Sequence, residues 1–507
     1  MDNKRIAKNS IILYLRMVVV TIISLYTSRV VLKQLGVEDF GIYNLVGGVI
    51  SVFSFVQGAL ADASQRFLTF EIGKGANGNV YRVFSVCVLL HIILGLIIGL
   101  LAEPIGCWLI YSKLNIPHDK LFSAIWVYQF TIVSAISICI LIPYYAMVIS
   151  KEKMKAFAMI SLGEAGVKLC IAISLGLSVA DNRLVLYAFL IMLSQIALQS
   201  LYYLYCRKNF EESKFTYQWD GRLVKEIGAF SSWSVIGNIA YALVIHGQSI
   251  LLGMFFLPVV NAARGIAFQV HGAILNFIKN FQIAVNPQIT KTFAAHQLSD
   301  MHQLIFRSSR FSYYLFLLMF YPLFFETSTI LSIWLAEVPQ YAVEFVRYSL
   351  LIVFTSTLAN PLAVAAKASG KIKVFELSVA LIKLTIFPIS YMCLAKGLSP
   401  TSVYVVHLAI YLISVLINVL VTRNLVEFCM RDYFWKVIVP ICSVTAISCI
   451  VPVILYYLIP ISISRLFVLT ILSSIFTSGV VWFIGMSSRE RGLICKWVKG
   501  YGSLKRQ

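Results

Sequence analysis

Long apolar stretches separated by short polar segments run through all 507 residues of this chain. As a helix, a stretch of about 20 apolar residues spans the ~30 Å hydrocarbon core of a bilayer. An α-helix also satisfies its backbone hydrogen bonds internally, as that core requires. The pattern predicts an all-α integral membrane protein with about 14 transmembrane helices. The predicted spans are Asn9–Leu32, Phe40–Gln65, Val80–Ile110, Leu121–Ile149, Ala156–Val179, Leu184–Cys206, Ile227–Phe256, Val259–Ile283, Tyr313–Leu335, Val343–Ala366, Val374–Ala395, Ser402–Val421, Val437–Ile459 and Leu466–Met486.

Lysine and arginine residues are concentrated in alternate polar segments between these spans. If the N-terminus is cytoplasmic, most of the 42 Lys and Arg residues fall on the inside, which is the bias that membrane proteins show. The bias predicts that both termini are cytoplasmic. The net charge of +20 then reflects topology, with basic segments facing anionic lipid headgroups, and we expect no nucleic-acid partner.

Composition and motifs argue against a soluble domain and against catalysis. Hydrophobic residues make up 59% of the chain and charged residues 13%, which excludes an ordinary soluble protein. The chain contains no G-x-x-x-x-G-K-[ST], H-E-x-x-H or G-x-S-x-G motif, and its ten cysteines form no C-x-x-C pair. We therefore expect a transporter without enzymatic activity, cofactor or metal site.

The chain resembles itself in spacing and hydropathy at an offset of about 220 residues, which is the mark of a parallel repeat. Asp62–Phe67 ends the first copy of the repeated hairpin, and Val285–Thr290 ends the second. This predicts two six-helix lobes with a binding site at their interface, followed by two further helices. The predicted divisions are 1–210 for helices 1–6, 211–425 for helices 7–12, and 426–507 for helices 13–14 with a cytoplasmic tail.

Polar residues form stripes on the first two helices of each predicted lobe. The stripes comprise Asn9, Arg16 and Thr27; Asn44, Gly48, Ser51, Asp62 and Arg66; Ser231, Ser234, Asn238, Tyr241 and Ser249; and Asn261, Arg264, His271, Lys279, Gln282 and Asn286. From these we predict a substrate-binding cavity. The predicted cavity residues are Arg16, Asn44, Asp62, Asn238, Tyr241, Arg264, His271, Lys279 and Gln282.

Several of these positions have a structural alternative. Arg264 lies well inside a span, where a charge costs about 2.5–3.5 kcal/mol, so a cavity role is favoured over a packing role. Lys279 can instead extend towards the headgroups. His271 is either a hydrogen-bonded core residue or a proton carrier.

Glu164 and Lys168 are four residues apart on the fifth span and form either a neutral ion pair or part of a cation relay. Asp62, Glu164 and His271 are the candidates for ion coupling. The cations expected at membrane depth are Arg16, Arg264, Lys279 and Lys383, and they outnumber the deep carboxylates Asp62 and Glu164. A cavity with this balance attracts anions.

Short motifs give the chain a family resemblance. The segment Leu35-Gly36-Val37-Glu38-Asp39-Phe40-Gly41-Ile42-Tyr43 resembles the hairpin signature of the polysaccharide-biosynthesis (Wzx-type O-antigen and capsule) flippases of the MOP superfamily, which includes MurJ and the MATE exporters. Ala262–Ala267 and Asn286–Lys291 are similar to the eighth-helix pattern of one bacterial branch. Fourteen spans fit the flippase branches, and in MurJ the last two form a groove for the lipid tail.

The resemblance implies alternating-access transport of an undecaprenyl-pyrophosphate-linked oligosaccharide for O-antigen, lipopolysaccharide or capsule assembly. It places the chain in the bacterial cytoplasmic (inner) membrane, in contact with membrane lipids and with the polymerase and chain-length proteins of the pathway. By the same resemblance, Arg16 and Arg264 would hold the pyrophosphate. A cation-coupled exporter of small molecules is the alternative, and it would need deep acids. A membrane glycosyltransferase or polymerase would need a large outside loop, which the chain lacks.

Overall fold

The computed structural model describes residues 3–73, 78–151, 153–178, 182–217, 219–294, 296–369, 372–488 and 490–492 of the chain. These residues form helices and no strands, and each of the fourteen predicted spans falls on helical structure. The prediction of an all-α membrane protein is confirmed.

Eight helices make up the first half of the chain. They are α1 (Asn3–Ser51), α2 (Ser54–Gly73), α3 (Val80–Ser112), α4 (Leu121–Ser150), α5 (Met154–Ser174), α6 (Arg183–Asn209), α7 (Gly221–Ile245) and α8 (Gly247–Phe255). Short 3-10 turns lie at His118–Lys120 and Glu211–Ser213.

The second half continues with eleven further helices. They are α9 (Pro258–Ala294), α10 (Leu298–Phe325), α11 (Thr327–Trp334), α12 (Ala342–Ala368), α13 (Ile372–Leu384), α14 (Ile386–Ala395), α15 (Thr401–Val426), α16 (Met430–Tyr433), α17 (Val439–Ser448), α18 (Ile450–Leu458) and α19 (Ile463–Val480). The segments Phe434–Ile438 and Val481–Gly485 are π-helical.

Within the described residues, 10 helices are long and apolar enough to cross a membrane, or up to 11 if the bent pair α10 and α11 forms one span. This is fewer than the predicted fourteen for two reasons. The first two predicted spans share α1, which is counted once although its chain turns at Gly36. Helices α7 and α9 are not among the ten, which take in described residues alone; the side chains of residues 230–241 in α7 and several after residue 279 in α9 lie outside these.

Gly36 makes the first hairpin possible. Its φ of 79° and ψ of 169° lie in a region that glycine adopts readily and other L-residues avoid. Gly36 belongs to the Leu35–Tyr43 motif, so the motif includes the glycine that the turn of the backbone requires.

Five predicted spans are interrupted. The second is broken at Val52–Phe53, the seventh at His246, the eleventh at Thr385 and the thirteenth at Cys449. The ninth bends by 78° at Glu326, between α10 and α11. Each interruption frees backbone carbonyl groups that an intact helix would satisfy, and side chains from other helices can then bind them.

Contacts between Cα atoms divide the chain into two compact units. Unit 1 comprises Met1–Gln269, Trp334–Ala342 and Ala380–His407; unit 2 comprises Val270–Ile333, Val343–Val379 and Leu408–Gln507. These units are defined by packing. The predicted division by repeat, at 210 and 425, stays a prediction.

Each unit has an apolar interior. In unit 1, one cluster includes Ile42, Leu45 and Tyr128, and a second includes Phe84 and Met147. In unit 2, fully buried side chains include Phe316, Tyr321 and Phe345. Polar and charged groups in these interiors are therefore exceptions that require partners, and the candidate sites lie among them.

Candidate functional site

Arg16 extends from α1 onto α5. Its Nε donates a hydrogen bond to the Ser161 hydroxyl, and its guanidinium lies 4.3 Å from the centre of the Phe157 ring. The side chain is half-buried. A hydroxyl acceptor and an aromatic face offset part of the cost of this cation without neutralising it.

Glu164 lies one helical turn beyond Ser161 and is already paired. Its Oε1 is 2.7 Å from the Lys168 Nζ and accepts a 3.5 Å hydrogen bond from Gln195 on α6. The neutral pair that the four-residue spacing suggested is therefore present. Together with Arg16, this group of side chains on α1, α5 and α6 carries a net positive charge.

Arg264 is the most deeply buried of the predicted cavity cations, at 7% exposure. It donates a hydrogen bond to the carbonyl of Ile245, the last residue of α7, and its guanidinium lies 5.8 Å from the Phe268 ring centre. The break at His246 leaves that carbonyl free. Arg264 thus caps the C-terminus of α7, where a helix dipole favours a cation.

Polar atoms around Arg264 remain uncommitted. Among the described residues, the Arg264 Nε, both amide atoms of Asn261 and the Ser249 hydroxyl have no hydrogen-bond partner. Asn261 and Ser249 are fully buried. Buried polar groups almost always have a partner, so these atoms are available to form further hydrogen bonds.

Asn44 lies beside this region. A Cβ on Gly265 would lie 2.8 Å from the Asn44 amide, and one on Gly48 would lie 2.7 Å from the Ser249 Cβ. The second half of α1 therefore packs directly on α8 and the start of α9. Asn44 and Arg264 are the predicted cavity residues that the structure brings together here, with Asn261 and Ser249 added to them.

Three predicted residues belong to unit 2. Gln282 is 2% exposed and donates hydrogen bonds to the Ser312 hydroxyl at 3.1 Å and the Thr357 carbonyl at 3.4 Å, which joins α9 to α10 and α12. His271 lies beside the backbone of Ser349 on α12. The predicted cavity roles of Gln282 and His271 stay predictions.

The side chain of Lys279 is exposed, whereas the charge pattern predicts a buried cation. The reason is its helical position: Asn276, one turn earlier on α9, is also exposed, while the adjacent Ile278 is fully buried. An exposed side chain can line a cavity, so the cavity role of Lys279 stays a prediction. Lys383 is half-buried rather than buried.

Asp62, Asn238 and Tyr241 lie in helices, but their side chains are outside the described residues. Asp62 is on α2, and the other two are on α7. Their predicted roles stay predictions. Among the described residues, no group of three or more His, Cys, Asp or Glu side chains is placed to hold a metal ion.

Sequence reasoning missed Ser161, Phe157 and Gln195. The fifth and sixth spans carry no continuous polar stripe, so no pattern indicated that α5 and α6 would meet Arg16. Asn261 and Ser249 were in the predicted stripes. What the sequence lacked was the evidence that their polar atoms have no internal partner.

Comparison with known proteins identifies the fold. No family model and no curated protein matches the chain by sequence. Solved structures match across most of its length. An inward-facing MATE-family multidrug-resistance transporter of the MOP superfamily has a TM-score of 0.64 and 14% identity, covering 80% of this chain and 94% of its own.

Two further structures extend the likeness. The lipid II flippase MurJ, in an inward closed conformation, has a TM-score of 0.64 and 13% identity, covering 94% of this chain and 99% of its own. A MOP-superfamily transporter from Pyrococcus furiosus, reported with reversed polarity of its binding pocket, has a TM-score of 0.61 and 12% identity, with coverage of 83% and 96%. At these identities the likeness shows the fold. The chain has the fold of the MOP-superfamily transporters.

Proposed function

We propose that this protein is a flippase that moves an undecaprenyl-pyrophosphate-linked oligosaccharide across the bacterial cytoplasmic membrane by alternating access. The cargo would serve O-antigen or capsule assembly. The observation that carries this proposal is Arg264, a buried guanidinium with an uncommitted Nε and no carboxylate partner among the described side chains. A charge at membrane depth costs about 2.5–3.5 kcal/mol, and one carbonyl with one aromatic ring offsets only part of that cost.

The chemistry of an anionic cargo explains why such a cation would be retained. A guanidinium presents a planar fork of donors that matches a phosphate group. The free Nε of Arg264, the Asn261 amide and the Ser249 hydroxyl supply further donors in the same part of unit 1. Arg16 is the second proposed phosphate ligand. Glu164 does not cancel the charge of Arg16, because Lys168 already neutralises Glu164.

The extent of the structural likeness also favours a flippase. The match to the lipid II flippase takes in 94% of this chain, against 80% for the MATE transporter. A cation-coupled small-molecule exporter is the alternative, since the two structures have equal TM-scores of 0.64. That function requires an uncommitted deep carboxylate. Glu164 is committed to Lys168, and the side chain of Asp62, the other candidate, lies outside the described residues.

The remaining features of the proposal follow from the sequence. We place both termini in the cytoplasm and divide the chain into two six-helix lobes and a C-terminal helix pair. Asp62, Glu164 and His271 are the proposed ion-coupling residues, and Asn44, Asn238, Tyr241, Lys279 and Gln282 complete the cavity. The polymerase and chain-length proteins of the pathway are the proposed partners.

Substitution of Arg264 tests the anion site in cells that depend on this protein for surface polysaccharide. Arg264→Ala should abolish export and cause the lipid-linked oligosaccharide to accumulate on the cytoplasmic side. Arg264→Lys should retain part of the activity, because the charge remains while the planar fork is lost. The measurements are surface glycan and the transverse location of the lipid-linked precursor.

Arg347 provides a matched control. Its Nε donates to the Phe324 carbonyl at 3.1 Å near the α10–α11 bend, and its guanidinium lies 5.6 Å from the Phe324 ring. Arg347 therefore makes the same two kinds of contact as Arg264, one with a backbone carbonyl and one with a phenylalanine ring, but outside the proposed site. Arg347→Ala should leave export intact when membrane levels match. Normal export by Arg264→Ala would contradict the proposed anion site.

A further inference from the structure

The end of α6, the segment that joins it to α7 and the start of α7 carry an exposed basic and aromatic surface. Its five cations are all exposed: Arg207, Lys208, Lys214, Arg222 and Lys225. Two aromatic side chains accompany them, Tyr217 at 73% exposure and Trp219 at 60%. We call these seven residues the connector patch.

The acids of this segment do not cancel its charge, because they are paired mostly with cations elsewhere in unit 1. Glu212 forms a 2.8 Å ion pair with Lys151, and the hydrogen bond from Lys151 lowers the pKa of the Glu212 carboxyl. Asp220 pairs with Arg82. Hydrogen bonding by the Leu223 backbone N–H, with the Arg82 ion pair, lowers the pKa of Asp220.

Glu226 is the partner of one patch cation, at 3.3 Å from Arg222, whose side chain is 90% exposed. An exposed pair of this kind contributes at most about 0.5 kcal/mol and holds Arg222 only weakly. With Arg82 and Lys151 included, seven cations face the carboxylates of Glu211, Glu212, Asp220 and Glu226. The surface is therefore basic, although it includes four carboxylates.

The backbone beneath the patch is anchored. The Tyr81 hydroxyl lies 2.5 Å from the Thr216 hydroxyl, and the Thr216 backbone N–H donates to the Ser85 hydroxyl at 3.5 Å. Phe210 is buried, and the Lys151 Nζ lies 5.8 Å from its ring centre. The backbone of the segment is therefore held in place while the side chains of Tyr217 and Trp219 stay exposed.

We propose that the connector patch binds anionic phospholipid headgroups at the membrane surface, with Tyr217 and Trp219 at the level of the headgroups. Tyrosine and tryptophan are enriched at this interface because each combines an apolar ring with a polar atom. Each basic residue near an anionic membrane surface gains about 1 kcal/mol. The segment also lies on the side that the charge distribution predicts to be cytoplasmic, and the inference does not depend on the transported substrate.

Fluorescence quenching of the full-length protein tests this surface. The protein would be reconstituted into vesicles of phosphatidylcholine with phosphatidylglycerol, with either lipid brominated near the headgroup. The difference between wild type and Trp219→Phe isolates the Trp219 signal from the eight tryptophans. Brominated phosphatidylglycerol should quench Trp219 more strongly, and added salt should reduce the preference.

A charge variant and a matched control complete the test. Replacing Lys208, Lys214 and Arg222 with Gln should lower the phosphatidylglycerol preference by about fivefold per cation. The control is Trp108, which is 55% exposed and lies 5.7 Å from the Lys113 Nζ, on the opposite predicted side. Its preference, isolated with Trp108→Phe, should be much weaker.

Three results would overturn the inference. Equal quenching of Trp219 by the two brominated lipids would remove the anionic specificity. If the triple Gln variant kept the preference for phosphatidylglycerol, other residues would be responsible for it. No quenching by either lipid would place the patch in water, where an acidic protein becomes the fitting partner.

Discussion

Buried arginines in this protein are stabilised in two chemically different ways. Arg465 is paired with Glu326, whose Oε1 lies 2.6 Å from the Arg465 Nε, and both side chains are at most 6% exposed. Arg310 is 2.7 Å from Glu490 and also donates to the Gly485 carbonyl. Arg264 has a helix carbonyl and the Phe268 ring among its described partners. Carboxylates neutralise the charges of Arg465 and Arg310, whereas no described carboxylate neutralises that of Arg264.

The Glu326–Arg465 pair should be among the main stabilising contacts of unit 2. Glu326 lies at the α10–α11 bend, and Arg465 is on α19. Removing one partner of a buried pair leaves the other charge unpaired and costs about 3–5 kcal/mol. Glu326→Gln should therefore lower the thermal unfolding temperature in detergent substantially. Glu326→Leu combined with Arg465→Met should recover much of that loss.

The pair formed by Asp432 and Lys436 supplies the comparison. It has a similar separation of 2.7 Å, but the side chains are 48% and 59% exposed. Asp432→Asn should change stability by no more than about 0.5 kcal/mol. If Glu326→Gln were as mild as Asp432→Asn, the buried pair would not have the structural role assigned to it.

Residue type and spacing predicted some side-chain roles and not others. The Glu164–Lys168 pair followed from helical spacing alone, because residues four apart face one another. The exposure of Lys279 and the interhelical bonds of Gln282 depend on which neighbouring helix covers each face of α9. A helical stripe specifies a face but does not identify what that face contacts.

At the scale of elements, the second half of α1 packs on α8 and the start of α9 through reciprocal glycine contacts. Glycines on each side lie against side chains or backbone of the other: Gly41 against Pro258, Gly48 against Ser249, Gly253 against Leu45 and Gly265 against Asn44. Small residues allow helices in a membrane to approach closely. This close approach brings Asn44 alongside the region of Arg264.

Two glycines of α1 allow a controlled test of this packing. A Cβ on Gly41 would overlap the Pro258 carbonyl, whereas a Cβ on Gly47 would meet nothing within 4 Å. Gly41→Ala should destabilise unit 1 by about 1–3 kcal/mol through overpacking. Gly47→Ala should be neutral or stabilise it by up to about 1 kcal/mol, because alanine favours the helix.

Thermal unfolding and transport would be measured for both variants. Equal stability of Gly41→Ala and Gly47→Ala would show that the α1 contact with Pro258 is not as close as described. The comparison is informative because both substitutions add the same methyl group to the same helix.

Helix positions were predictable from hydropathy, but the interruptions within helices were not. The limits of α3, α4 and α6 agree with the predicted spans to within a few residues. The break at Val52–Phe53 has no proline or glycine at the break itself. An apolar helix and an apolar broken helix have the same composition, and only packing distinguishes them.

For the whole molecule, the proposed cargo determines the energetics of transport. A pyrophosphate diester carries about two negative charges, and each charge crossing 100 mV is worth about 2.3 kcal/mol. Outward movement from a cell with a negative interior is then downhill by about 4–5 kcal/mol. Cavity cations that move outward with the cargo offset part of this energy, and the same field then favours their return in the empty carrier. Asp62 is the proposed residue for neutralising part of that cationic charge, and Glu164 is the weaker candidate because Lys168 already pairs with it.

The most direct test is to measure transfer of a polyprenyl-pyrophosphate-linked saccharide between leaflets of vesicles containing the purified protein. We predict that the saccharide appears in the opposite leaflet with this protein and not in protein-free vesicles. Transfer in the outward direction should slow when the membrane potential is collapsed at constant pH. Absence of transfer, together with gradient-driven export of small organic cations by the same vesicles, would contradict the flippase assignment.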